Sequence, residues 1–140
     1  MLATATVLLA SVCALTYTAP AGAAATPHTI VSLGFDDGYV SQYGVRATLA
    51  SHGMHGTFFI ISDNVGSTNY MTWSQIAALA SDGNEIAGHT LSHPDLTTVS
   101  TTQARLEICG NRSDLLSRGY PATDFTANRQ VTAEGGEAAA

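Results

Sequence analysis

Residues 29–38 read TIVSLGFDDG, in which a β-branched and apolar run at 29–34 ends in two adjacent carboxylates, Asp36 and Asp37, and then Gly38. Such a run predicts a strand, and the Asp-Asp-Gly that closes it is turn chemistry, so polar groups are delivered to the strand's C-terminal end. The period then changes. Across residues 41–52 (SQYGVRATLASH), Tyr43, Ala47 and Leu49 or Ala50 recur at helical spacing, and Gly53 ends the pattern. Residues 56–62 (GTFFIIS) are again almost continuously apolar, so strand, helix, strand is the simplest description.

The unit repeats downstream. Thr72 is placed to cap a helix over WSQIAALASD, with Trp73, Ile76, Ala77, Leu79 and Ala80 as the apolar face and Gly83 as the stop. Residues 85–87 predict a short third strand that runs into Gly88, His89 and a polar loop closed by Pro94. From Ser100 or Thr101 to Ser117 a further helix is expected, with Leu106, Cys109, Leu115 and Leu116 inward and Gly110 and Asn111 weakening its middle. A fourth strand is expected to begin near Ala122 and to include Phe125. From Thr126 the text becomes TANRQVTAEGGEAAA, polar and without period, which predicts a disordered tail over 126–140. Alternating strands and helices specify the α/β class, with a parallel sheet, right-handed crossovers and functional groups at the C-terminal strand ends. A closed barrel of this class needs about eight strands, so this chain supplies part of one.

Two segments carry chemistry: FDDG at 35–38 and HTLSHP at 89–94. Alone, an Asp-Asp-Gly shapes a solvated turn and an HxxxH pair decorates a surface loop. Together they bring two carboxylates and two imidazoles to neighbouring strand ends. Two histidines and one carboxylate are three ligands for a borderline divalent ion such as zinc, with a position left open, and the second carboxylate is free to act as base. Adjacent residues of a strand point to opposite sides, so Asp36 and Asp37 suit different roles, and a turn aided by Gly38 must bring both to one site. The motif is not the HExxH of zinc proteases, because Thr90 stands where that motif has its glutamate. His28 lies beside the leader described next, and His52 and His55 flank a helix stop, so none of these is read as functional.

Residues 1–25 contain no charged side chain, have an apolar core VLLASVCAL and end in APAGAAA, the pattern of a secretory signal peptide. The apolar run is far shorter than the roughly 20 residues of a membrane span, so export rather than anchoring is expected. The chain has a net charge of −6, no lysine and five scattered arginines, which removes the electrostatic footprint of a nucleic-acid binder. With Cys13 in the leader, Cys109 is left as an odd cysteine, either a buried thiol or one half of a disulfide whose partner is elsewhere.

FDDG followed by HTLSHP resembles the first two motifs of the polysaccharide deacetylases, the NodB-homology family or carbohydrate esterase family 4, and the similarity spans roughly His28 to Phe125. The resemblance implies the N-terminal portion of a distorted (β/α) barrel over 26–125. It also implies removal of N-acetyl groups from chitin-like or peptidoglycan sugars, or of O-acetyl groups from xylan. Carried over by motif, Asp36 resembles the catalytic base, and Asp37, His89 and His93 resemble the ligands of a divalent metal, Zn²⁺ or Co²⁺. The reaction implied is metal-assisted hydrolysis in which Asp36 takes the proton of the attacking water.

The resemblance also predicts an aromatic-Pro-aromatic-Gly strand end after Phe125 and a late histidine acid, neither of which this sequence supplies. The chain is therefore read as a domain cut short, with an inactive fragment or a glycan- or metal-binding pseudoenzyme as the alternative. A downstream cysteine in the parent reading frame would pair with Cys109 on this view, and its absence there would remove the idea. A non-haem iron oxygenase uses a similar ligand set. The leader and the Asp-Asp-Gly strand end favour hydrolysis over it.

Overall fold

The computed structural model describes residues 30–127; the expected leader and all but the first two residues of the expected tail lie outside them. Three short strands, β1 (Gly34–Phe35), β2 (Thr57–Ile60) and β3 (Glu85–Gly88), form a parallel sheet in chain order. The register pairs Phe35 with Phe58 and Phe58 with Ile86, so one apolar row crosses the sheet. Phe58 is fully buried, and its ring stacks on that of Phe35 with centroids 4.6 Å apart.

The crossovers follow the predicted pattern with local differences. After β1 the chain makes a 3-10 helix over Val40–Val45 before α1 (Arg46–Ser51), so the first crossover is less regular than a single helix. The second crossover holds α2 (Trp73–Ser81), which starts where sequence places it. The Thr72 hydroxyl accepts from the Gln75 amide while the Gln75 side chain accepts from the Thr72 amide, a reciprocal capping box that satisfies two otherwise orphaned donors. Ile76 and Leu79 of this helix are buried with Leu49, Ile60, Met71 and Ile86, whereas Ala77 is exposed. Replacing Thr72 by alanine is expected to lower stability by about 1 kcal/mol, read as a lower midpoint in urea unfolding with unchanged slope; an unchanged midpoint would contradict the capping account.

The last helix, α3 (Thr101–Ser117), packs differently from the expectation. Leu106 and Leu116 are 57% and 43% exposed and Cys109 is exposed, while Glu107, Asn111 and Leu115 are buried. These three are spaced by four and share one face. That face lies over the polar C-terminal strand ends: Asn111 Nδ2 donates to the Ile60 carbonyl at 2.9 Å, and Glu107 accepts from the loop after β3. Apolar periodicity is blind to a face that meets backbone carbonyls and amides. At the helix's end the Arg118 guanidinium lies 3.7 Å from the Trp73 ring centroid, tying α3 to α2 by a cation–π contact.

Beside β3 the fourth strand appears as a single bridge, Gly88 to Phe125. Gly88 donates to the Asp124 carbonyl and Thr126 donates to the Gly88 carbonyl, both at 3.0 Å, so Thr126, read from sequence as tail, continues this ladder.

Candidate metal centre

The site lies at the C-terminal end of the sheet. After β1 the backbone turns through two successive left-handed residues, Asp37 at φ 75° and Gly38 at φ 80°. Glycine takes this conformation freely and aspartate is among the few other residues that tolerate it, which explains an Asp-Gly pair here. The Gly38 carbonyl then accepts from Met71, and the Asp36 carbonyl accepts from the Gln42 side chain, fixing the turn on both sides. The result separates the two carboxylates: Asp36 is exposed, while Asp37 is half-buried over the sheet end.

His89 follows β3 directly. Its amide donates to the Ile60 carbonyl at 3.1 Å, and its side chain is buried with Nδ1 at 2.9 Å from the Thr126 carbonyl. A carbonyl can only accept, so Nδ1 carries the hydrogen, and in the neutral ring Nε2 presents a lone pair to the site. His93 reaches the same point from a tight loop in which both Thr90 (φ 67°) and His93 (φ 65°) are left-handed, closed by the His93 amide donating to the Thr90 hydroxyl at 2.9 Å.

Asp37 Oδ1, His89 Nε2 and His93 Nε2 lie at 3.2 Å from one another on all three edges. With His89 neutral and protonated on Nδ1, its Nε2 and the Asp37 carboxylate meet acceptor against acceptor, and a hydrogen on His93 Nε2 can serve only one of them fully. A cation removes that conflict. An equilateral triangle of 3.2 Å edge has its centre about 1.85 Å from each corner (3.2/√3), close to the roughly 2.0–2.2 Å of zinc–nitrogen and zinc–carboxylate bonds. Asp37, His89 and His93 would hold such an ion, and Asp37 and His93 keep partial exposure. The donor set and its spacing thus suit a divalent metal with an open position.

A sequence profile of the polysaccharide deacetylases matches residues 23–128. The chain belongs to the polysaccharide deacetylase family. It is 32% identical over 119 residues to a chitin deacetylase of Arthroderma benhamiae, covering 76% of this chain and 32% of that protein. Among solved structures it resembles the Streptococcus pyogenes deacetylase PplD in complex with acetate, with a TM-score of 0.60, 26% identity, and coverage of 62% of this chain and 40% of that one. It also resembles the peptidoglycan deacetylase PdaC of Bacillus subtilis, with a TM-score of 0.57, 27% identity, and coverage of 69% and 47% respectively. These neighbours establish the fold as the N-terminal part of a NodB-type barrel. The chain spans about a third of the length of the curated relatives it matches.

Three of the four residues singled out from sequence converge: Asp37, His89 and His93. Asp36 stands one residue away from that cluster on the exposed side of the turn. His55 lies at the other end of the strands, against Gly83, and takes no part. Sequence reasoning missed the supports. The Thr126 carbonyl leaves no mark in a sequence because any residue offers one. Glu107 and Asn111 did leave one, as polar residues four apart in a helix, but the apolar pattern gives Glu107 no role and Asn111 only that of weakening the helix's middle.

Proposed function

We propose that this chain hydrolyses acetyl groups from N-acetylated glycans of the chitin or peptidoglycan type, with Asp37, His89 and His93 holding a divalent metal ion, Zn²⁺ or Co²⁺. The observation that carries the reading is the triangle of potential ligand atoms at 3.2 Å, set in a fold whose family removes acetyl groups from polysaccharides. When bound, the metal supplies Lewis-acid polarisation and a more acidic water. The Thr126 carbonyl fixes the His89 tautomer so that Nε2 faces inward, the kind of support that keeps a ligand in register. Asp36, exposed and outside the ligand set, accepts the proton of the attacking water. The water oxygen bonds to the acetyl carbon, the carbon–nitrogen bond breaks, and the proton taken by Asp36 balances the one that the departing amine must gain. The uncharged apolar leader supports an extracellular site of action, and among the described residues no helix is long and apolar enough to cross a membrane. N-terminal sequencing of protein recovered from the culture medium tests export: a start near residue 26 supports it, and retention of the intact chain in the cell opposes it.

Asp36→Asn tests the division of labour. It is expected to lower acetate release from chitooligosaccharides by about 10²–10⁴-fold while leaving Co²⁺ affinity unchanged. Equal release by the variant would remove Asp36 from the mechanism. Stoichiometric Co²⁺ uptake without acetate release would uphold the metal site and overturn the hydrolysis.

A further inference from the structure

We propose that Glu107 is a positioning residue for the metal centre: from α3 it clamps Ser92, and through Ser92 it holds the loop carrying His93 in the conformation that turns both imidazoles onto Asp37. The inference rests on reading that trio as a metal site. Its starting point is the strain in the loop. Thr90 and His93 are both left-handed, a conformation that costs an ordinary residue roughly 1–2 kcal/mol, so the loop keeps this shape only if its surroundings impose it.

The first half of the loop is pinned to the 3-10 turn after β2, where the Ser62 and Asp63 amides donate to the carbonyls of Thr90 and Leu91. The second half is pinned by Glu107. One carboxylate oxygen accepts from the Ser92 amide and the other from the Ser92 hydroxyl, both at 2.9 Å, and Gln103 Nε2 adds a third donor at 3.1 Å. Glu107 is only 4% exposed and forms no ion pair among the described residues, so its charge is compensated by hydrogen bonds alone. Burial pushes its carboxyl upward, but the donors from Ser92, Gln103 and the Leu91 amide outweigh burial and hold it below the usual glutamate range. A helix that needed only packing would place an apolar side chain here, without the desolvation cost of a charge. Next to it Gly110 leaves the space into which Leu91 packs: a Cβ at Gly110 would stand 2.6 Å from Leu91 Cδ1. One helix face therefore fixes two successive residues of the loop, Leu91 by shape and Ser92 by hydrogen bonds.

The test titrates the metal-free full chain with Co²⁺ and follows the visible absorption of the bound ion. Relative to the wild-type chain, Glu107→Ala is expected to bind about 10–100-fold more weakly, with an altered spectrum. Glu107→Gln, which keeps an acceptor for the Ser92 amide, is expected to recover part of that loss. Leu106→Ala, which removes a side chain 57% exposed that has no part in the Glu107–Ser92 hydrogen bonds, should leave Co²⁺ affinity unchanged. In the metal-free chain, hydrogen exchange of the Ser92 amide should be slow in the wild type and fast in Glu107→Ala. If Glu107→Ala fails to fold, Ser92→Ala, which removes only the hydroxyl, carries the test with a smaller expected loss. A folded Glu107→Ala with wild-type affinity, spectrum and Ser92 protection would overturn the proposal, as would wild-type affinity in Ser92→Ala where Glu107→Ala does not fold. Absence of Co²⁺ uptake by the wild-type chain would instead bring down the metal reading, and the proposal with it.

Discussion

Asp37→Asn is expected to abolish metal uptake and, with it, metal-dependent acetate release. Asn is the informative replacement because it tolerates the left-handed backbone that Asp37 adopts at φ 75°, so the turn survives and only the charge and one acceptor oxygen are lost. Alanine at the same position would add a conformational cost of roughly 1–2 kcal/mol and confuse folding with binding. Asp37 contributes the only anionic corner of the triangle; the other two corners are imidazole nitrogens. Without it, the divalent ion keeps two neutral ligands and no charge neutralisation. Removing a mere supporting partner of a metal ligand costs about 10–100-fold in affinity, so loss of the ligand itself should exceed that range. Calorimetric titration with Zn²⁺ checks the claim. Binding by Asp37→Asn within tenfold of the wild-type chain would show that the convergence of Asp37 with the histidines is a hydrogen-bonded cluster and no more.

The second large effect concerns the scaffold. Phe58 sits on the middle strand, fully buried, stacked on Phe35 and paired in register with Ile86, so no neighbour can swing in to fill its place without breaking the sheet's apolar row. Phe58→Ala is expected to cost about 3–5 kcal/mol, a large share of the roughly 5–15 kcal/mol that a domain possesses. The variant should unfold at a much lower urea concentration. Leu106→Ala is the control, since Leu106 is 57% exposed and its truncation removes far less buried surface than that of the fully buried Phe58. A Phe58→Ala loss below 1 kcal/mol would mean that the packing around β2 is looser than described.

Much of this architecture was legible before any coordinates. The continuous apolar run at 56–62 gave β2, the Thr72 cap gave the start of α2, and the pairing of FDDG with HTLSHP placed Asp37, His89 and His93 in one site. Those features are local or carried by side-chain identity, which a sequence displays. What escaped was governed by tertiary context. Of the described residues in the apolar run at 29–34 only Gly34 pairs as a strand, joined by Phe35 beyond it, because pairing depends on the partner available and not on β-propensity alone. The face of α3 was misassigned because a helix lying over strand ends is selected for donors and acceptors, and there Glu107 and Asn111 outrank Leu106 and Leu116. Thr126 was read as tail because its contribution is made entirely by the backbone.

The measurement that bears most directly on the central claim is acetate release from chitooligosaccharides by the metal-stripped chain as Zn²⁺ is added back in steps. The account predicts no release without metal, a rise that saturates at one ion per chain, and no rise in Asp37→Asn. Release that is unchanged by chelation, or that Asp37→Asn supports as well as the wild-type chain, would contradict it.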